Sequence, residues 1–569
     1  MKRIAQRKTS EKSCLAAALL FNAAFLALTL LLFRVGFESN DDLTLAAFVD
    51  GQMSVPTAHI PYINIVLGLL LKGIYTLLGR DVAWHTICQL LLLFLSFTAI
   101  SRTLCHRLGL LSGLGVSAVL LLFAGLDVYT IISYTKTAAV CTVGGMMLLA
   151  DAMDASSAHT VRITGLCLCL FGFMLRPMEF LPCFGIMAAL CFHWLWGLLF
   201  EEEGKAGEKA GRVLRAAAPF LLLPVLCCAL YAVNEAAWRG PVWEPYHSYD
   251  RIRVAYSDYG RPQYHEMPDA YEALGLSETD AELLYEGNYF DPEAYSGEVM
   301  QAVSEARDAA FPALSWGECL GVFLDRCLPG FFVNLPVWGL LLMLALWLCA
   351  GRHRLKDWAA LAVAAALFAA AYLYLIYRGR YLIDRVDAGL LLAVSAAAAF
   401  LLDRERLHRE RRLAALLLAL AVLVCCWLSR GSLRRNAAES FAEERAAVEI
   451  LLADTEHVYL AKLDTVSDRI YSPFEPAGEG YWDRIVLLGG FDCNHPTVMA
   501  NLARYGVENP YRDAVGNERV YFIEDDVELT LAHIRERYDA GATAERIEPL
   551  STQTGLNVYR IHTGEEAAP

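Results

Sequence analysis

Three acids stand in the stretch Phe37-Glu38-Ser39-Asn40-Asp41-Asp42, just after the first long hydrophobic segment of the chain. A carboxylate in such a loop can take a proton from an attacking hydroxyl, and cations opposite it can stabilise a departing phosphate. The cations in question are His59, Lys136 within Ser133-Tyr134-Thr135-Lys136-Thr137, Arg176 beside Glu179, and Arg378, Arg380 and Arg385, which share a link with Asp384 and Asp387. Charged groups near membrane depth are costly and tend to face a cavity or a partner. Taken singly, each of these is read as a snorkelling end charge or an ion pair that fixes a helix end. The Asn40-Asp41-Asp42 run is read as functional, with Glu38 beside it.

The elements that must position these residues are hydrophobic. A chain that is 56% apolar and only 20% charged, with a mean hydropathy of +0.38, is a multi-pass membrane protein. Spans are read at 14–33, 84–102, 109–127, 131–150, 161–176, 180–200, 215–233, 335–351, 358–377, 387–402 and 413–429. Lys2, Arg3, Arg7, Lys8 and Lys12 precede the first of these, and no small-residue cleavage site follows it, so it reads as an uncleaved span with a cytoplasmic N-terminus. The segment 60–78 carries Lys72 and decides the topology. If it does not cross, Arg102, Arg107, Lys205, Lys209, Arg212, Arg215, Arg352, Arg354, Lys356 and the arginines at 404, 406, 409, 411 and 412 all collect on the cytoplasmic side. The expectation is therefore an α-helical integral membrane protein of about eleven transmembrane helices plus an interfacial helix at 60–78. The acids at 38–42, the loop at 234–334 and the region after 429 then face the extracytoplasmic side.

Four regions follow: an N-terminal transmembrane bundle at 1–233 with its first outer loop at 34–83, an extracytoplasmic loop at 234–334, a C-terminal bundle at 335–429, and a small extracytoplasmic α/β domain at 430–569. Between Asn234 and Trp316 stand 16 Asp and Glu against five Arg and no Lys, which supplies most of the chain's charge of -15 and makes nucleic acid an unsuitable partner. The loop is rich in aromatics, among them Trp238, Trp243, Tyr246, Tyr249, Tyr256, Tyr271 and Tyr289. Aromatic faces with acids suit a sugar, but these are read first as the loop's core and membrane belt. Asp325 and Arg326, in the segment 317–336, read as an ion pair ahead of the next span. In the last region a helix carries Glu439, Glu443 and Glu444, and strands at 457–460, 484–488, 520–523 and 557–561 alternate with helices at 497–505 and 526–538. Gly489-Gly490-Phe491-Asp492 follows a strand without a phosphate-loop or dinucleotide pattern and is read as a turn. Most of the 16 cysteines lie in apolar runs, and no disulfide framework or zinc spacing appears.

A first span, an outer loop opening with paired acids, an interfacial helix, about ten further spans and a C-terminal outer domain together resemble the GT-C superfamily of membrane glycosyltransferases. The stretches Tyr246-His247-Ser248-Tyr249-Asp250-Arg251-Ile252-Arg253, Asp258-Tyr259 and Leu274-Gly275-Leu276-Ser277-Glu278-Thr279-Asp280 are similar to bacterial multi-pass membrane proteins of this layout to which no chemistry is assigned. The first resemblance implies transfer of a sugar from a polyprenyl-phosphate carrier to a glycan or lipid acceptor of the cell envelope, outside the cytoplasm. It places the base on Asp41 or Asp42, with Glu38 after them, and leaves His59, Lys136, Arg176, Arg378, Arg380 and Arg385 to bind substrate. Metal-dependent members use further acids to hold a divalent cation, and none here is clearly placed to match, so no cofactor is assigned. Two other readings stay open: a transporter or flippase for a lipid-linked glycan, and a non-catalytic envelope assembly protein. A cavity at one mouth of the spans where Asp41 meets arginines would favour the enzyme, and a cavity reaching both faces would favour transport.

Overall fold

The computed structural model describes residues 11–38, 41–153, 159–201, 206–432, 441–462, 465–466, 470–476 and 480–564. Of the residues singled out above, Lys2, Arg3, Arg7, Lys8, Ser39, Asn40, Lys205 and Glu439 lie outside the described residues.

All eleven expected segments are helical. Among the described residues, seven helices are long and apolar enough to cross a membrane: Glu11–Leu32, Trp84–Leu108, Leu110–Thr130, Pro177–Glu201, Lys209–Trp238, Leu355–Tyr377 and Arg411–Gly431. The pair Trp316–Phe331 and Leu335–Ala350, bent by 94°, makes an eighth if it is one span. The difference from eleven lies in Tyr134–Asp151, His159–Leu175 and Asp384–Phe400, which are 18, 17 and 17 residues long. At about 1.5 Å per residue they are at the short end of what crosses a hydrocarbon core of about 30 Å, and Lys136 and Asp151 in the first and Asp384, Arg385 and Asp387 in the third reduce their apolar character. Every residue of Tyr134–Asp151 is buried. Protein neighbours there replace lipid, so the helix tolerates Thr135, Lys136 and Thr137 in a way that a lipid-facing span does not.

The ambiguous segment forms a helix at Ile65–Leu78 of 14 residues, too short to cross. Asn64 caps it, accepting from Val66 N–H at 3.0 Å. Leu67, Leu71 and Tyr75 are buried while Leu69, Leu70 and Leu77 are exposed, so one apolar face meets protein and the other meets the surroundings. A two-residue parallel ladder of β1 (Gly36–Phe37) with β2 (Ile131–Ile132) ties the segment after the first helix to the end of Leu110–Thr130.

The C-terminal region forms a five-stranded sheet from β3 (Val458–Ala461), β4 (Ile485–Leu487), β5 (Val520–Ile523), β6 (Thr543–Arg546) and β7 (Val558–His562), in the order β4-β3-β5-β7-β6. β3 runs parallel to β4 and β5, and β7 is antiparallel to β5 and β6. The four strands expected from sequence are present; β6 is additional. Its residues are half-buried or exposed at an edge, so it lacks the apolar alternation by which strands are recognised. The acidic loop folds into helices that include Glu244–Ser257, Glu278–Glu286 and Gly297–Ala310. Its tyrosines are core: Tyr256, Tyr271 and Tyr295 share one hydrophobic cluster with Tyr459 and Phe522 of the sheet and with Leu43 and Phe48 of the helix Asp41–Asp50. The loop and the sheet are therefore a single packed layer.

Polar contacts pin that layer as well. The ring of His533 is fully buried, with Nδ1 2.8 Å from Asp280 and Nε2 2.9 Å from Asp291. Two carboxylates facing two ring nitrogens require both to carry protons. Arg537 adds a contact of 2.5 Å to Asp280, and the Tyr538 hydroxyl donates to Asp291 at 2.6 Å. Burial opposes the imidazolium, yet the bonds to Asp280 and Asp291 outweigh it and hold His533 above its ordinary value. Burial likewise opposes both carboxylates, but Arg537 and His533 hold Asp280 below the usual range, and His533 and Tyr538 hold Asp291 below it. The His533 contribution is thus complete below its unfolded value of about 6.5 and is lost as pH rises through the raised one; the Asp contributions are complete above about 4 and are lost on acidification. Thermal unfolding of purified protein between pH 5 and 10 is expected to show His533→Gln less stable than wild type at pH 6, by about 3 kcal/mol. The gap should close toward the alkaline end. Parallel curves across the range would contradict this account.

Candidate active site

Successive residues of a helix point about 100° apart, so Asp41 and Asp42, the first two residues of Asp41–Asp50, meet different surroundings. Asp42 is fully buried. Gln89 Nε2 donates to its Oδ1 at 2.7 Å, His85 Nε2 lies 3.2 Å from the same oxygen, and the Tyr134 N–H faces both oxygens at 3.1 and 3.2 Å. Because Tyr134 opens the helix Tyr134–Asp151, the Asp42 carboxylate satisfies an orphan N–H at that helix's positive end.

Asp41 turns the other way, into a cavity of about 240 Å³. Its Oδ2 lies 3.8 Å from Arg385 Nη2, and both side chains are about one-fifth exposed. Arg176, Arg253, Arg261 and Arg380 also line the cavity. Three helices of the bundle side begin here: Tyr134–Asp151, Pro177–Met187 with Arg176 at its N-cap, and Asp384–Phe400 with Arg385 in its first turn. Helix N-termini and guanidinium groups both favour a bound anion.

The cavity has two walls. On the bundle side, Arg176 donates to the Tyr134 hydroxyl and lies over the Tyr134 ring at 5.0 Å and the Tyr62 ring at 5.7 Å. Tyr62 has φ of +66°, a left-handed conformation that costs a residue with a side chain about 1 kcal/mol or more. It is held there by Arg253, which donates to its hydroxyl at 2.7 Å, and by the edge of Phe491 at 5.5 Å. On the outer side, Arg253 pairs with Asp250 and Asp258 pairs with Arg380, each at 2.6 Å. Gly490, Phe491 and Asp492, which follow β4, complete this wall with Tyr289. A Cβ on Gly489 would stand 1.9 Å from the Gly287 carbonyl oxygen, so this backbone approach requires glycine.

The remaining candidates from sequence lie elsewhere. Lys136 is buried between Glu38 at 3.2 Å and Asp127 at 3.0 Å, beside a second cavity of about 310 Å³ that Asp384 also lines. Burial pushes the Glu38 carboxyl up against the pull of Lys136. His59 stacks on Trp243 at 4.0 Å with its Nε2 3.1 Å from the Ala237 carbonyl oxygen, and burial pushes its pKa down. Arg378 lies over Tyr259 at 4.1 Å. Of the sequence candidates, Asp41, Arg176, Arg380 and Arg385 come together, whereas Asp42, Glu38, His59, Lys136 and Arg378 do not line this cavity. Among the described residues no group of three or more His, Cys, Asp or Glu side chains could hold a metal ion.

Sequence reasoning missed Arg253, Arg261, Tyr62 and the Gly490-Phe491-Asp492 segment. Two signals pointed to them. A loop with 16 acids places three of its five arginines, Arg251, Arg253 and Arg261, within eleven residues, and a glycine pair follows an apolar strand at its carboxyl end, where ligand crevices form.

No family model matches the chain, and no curated protein matches it. The chain is similar to two solved structures. One is ArnT from Cupriavidus metallidurans bound to undecaprenyl phosphate, at TM-score 0.35 and 12% identity over 98% of each chain. The other is the same ArnT in the apo state, at TM-score 0.39 and 12% identity over 97% of this chain and 98% of that one. At these values the likeness carries no residue correspondence.

Two stability effects follow from the geometry. Asp42→Ala is expected to strand the donors on Gln89 and Tyr134 and to lower stability by about 2–3 kcal/mol, whereas Asp41→Asn leaves the melting temperature unchanged; equal melting curves for the two variants would contradict the assignment. Gly489→Ala is expected to cost about 1–3 kcal/mol by forcing the β4 loop away from Gly287, measured by denaturation in detergent.

Proposed function

We propose that the protein is a membrane glycosyltransferase of GT-C architecture that moves a sugar from a polyprenyl-phosphate carrier to an acceptor in the cell envelope. The observation that carries this reading is Asp41, a carboxylate in an arginine-lined cavity at one end of the bundle. Asp41 removes the proton of the acceptor hydroxyl as that oxygen bonds to the anomeric carbon. The bond from that carbon to the carrier phosphate oxygen breaks, and the electron pair leaves with the phosphate, which Arg176 and Arg385 stabilise. Asp42 holds the helix that aims Asp41 and takes no part in the chemistry.

In this reading the three short helices also cross, Ile65–Leu78 lies in the interface, and the distribution of Lys and Arg keeps the N-terminus cytoplasmic and the cavity outside. The sheet and the acidic loop then form an extracytoplasmic layer over the mouth of the bundle. A cavity lined from one end suits an enzyme that meets a lipid carrier at the membrane surface, and a transport path would need the bundle interior, which is filled by packed side chains such as Phe97, Val143, Leu390 and Ala397.

Asp41→Asn is expected to lower the rate of sugar transfer from a polyprenyl-phosphate donor by about 10²–10⁴-fold, with Arg385→Gln also impaired. Transfer by purified Asp41→Asn protein at the wild-type rate would remove Asp41 from the role of base.

A further inference from the structure

The proposed reaction needs one anion site, for the carrier phosphate, yet the cavity presents arginines from two opposed walls. Arg176 and Arg385 belong to the bundle wall, next to Asp41. Arg253 and Arg261 belong to the outer wall, on the acidic loop. The pairing of each decides what it can offer to a ligand. Arg253 is 4% exposed and committed to Asp250 and the Tyr62 hydroxyl. Arg380, which reaches the same wall, is committed to Asp258. Arg261 differs: it is half-buried, lines the cavity, and has no carboxylate within 4.0 Å among the described residues. In a loop with 16 acids against five arginines, Arg251, Arg253 and Arg307 each have a carboxylate partner, and Arg239, which also has none among the described residues, does not line the cavity. Arg261 stands apart from them at the cavity.

Geometry of transfer separates the two anions. The acceptor oxygen attacks the anomeric carbon while the carrier phosphate departs, so acceptor and phosphate occupy different sides of the sugar, with Asp41 on the acceptor's side. A lipid carrier reaches the bundle wall from the membrane. The outer wall, built from the loop and the turn after β4, meets a ligand that comes from the aqueous side.

We propose that the outer wall of the cavity, through Arg261, binds a negatively charged group on the acceptor saccharide. The guanidinium fork matches phosphate and carboxylate alike, and the two are distinguished below. The inference rests on the glycosyltransferase reading for the word acceptor, while the existence of a second anion subsite does not depend on turnover.

The test is equilibrium binding to the full-length protein in detergent with four probes: geranyl phosphate for the carrier, and glucose 6-phosphate, glucuronate and glucose for the acceptor. Geranyl phosphate and one of the two anionic sugars are expected to bind together, with glucose at least tenfold weaker than the anionic sugar. Arg261→Gln should weaken the anionic sugar about tenfold or more and change geranyl phosphate less than twofold. Arg385→Gln should do the reverse, and Arg261→Lys should recover part of the affinity. Preference between glucose 6-phosphate and glucuronate identifies phosphate or carboxylate as the group recognised. Full competition between geranyl phosphate and the anionic sugar, no binding of either anionic sugar, or an Arg261→Gln protein of unchanged affinity would overturn the proposal. Failure of geranyl phosphate to bind would instead count against the carrier-phosphate reading. Matching melting temperatures for all variants exclude misfolding as the cause.

Discussion

The buried carboxylate of Asp42 sets the site. A charge with no access to water is costly unless its oxygens are fully bonded, and here Gln89, His85 and the first N–H of Tyr134–Asp151 converge on it. Those partners lie on two helices of the bundle, so the short helix Asp41–Asp50 is fixed in rotation against both. Apolar contacts agree: Leu43 and Phe48 enter the cluster of the sheet, while Leu45 and Val49 enter one formed with Ile63, Leu67 and Tyr134. The rotation that buries Asp42 turns Asp41 toward the cavity. These bonds fix the orientation of the helix while they satisfy the buried carboxylate.

The acidic loop follows a related logic. Its charge suggests a solvated or ligand-binding surface, but several of its acids are consumed internally. Asp280 and Asp291 hold His533 and Arg537, and Ser277 and Thr279 bond to Glu536 across the same seam. These contacts flank Gly287 and Tyr289, which line the cavity. Loop and sheet consequently present the outer wall as one packed body, and the cavity is the seam between that body and the helix ends.

How much of this was legible in the sequence depends on the scale of the signal. Hydrophobic runs located all eleven helices, because a run of apolar residues is a property of composition. Whether each crosses was less legible, since Tyr134–Asp151 is surrounded by protein and its Lys136 says nothing about lipid. Four strands were readable from their apolar residues, and the edge strand β6 was not. At the site, Asp41 could be found but not told from Asp42, because a one-residue shift on a helix is decided by tertiary partners 43 to 92 residues away. The Gly489-Gly490 turn was recognised as a turn; its approach to Gly287 joins positions about two hundred residues apart, which no local pattern encodes.

The cations make the same point from the other side. Lys136 and Arg385 look equivalent in sequence, each a base near the outer end of a hydrophobic segment. Lys136 is enclosed by Glu38 and Asp127 within 3.2 Å, so its charge is cancelled where it stands. Arg385 approaches the Asp41 carboxylate at 3.8 Å, and Arg176 leans on tyrosine rings and a hydroxyl. A cation held by neutral or distant partners keeps a field that a phosphate can use, whereas one held by two close acids has already spent it. Electrostatic capacity at this end of the bundle is therefore set by what each base is paired with, and the bases left without close acids, Arg176 and Arg385, line the cavity that Asp41 faces.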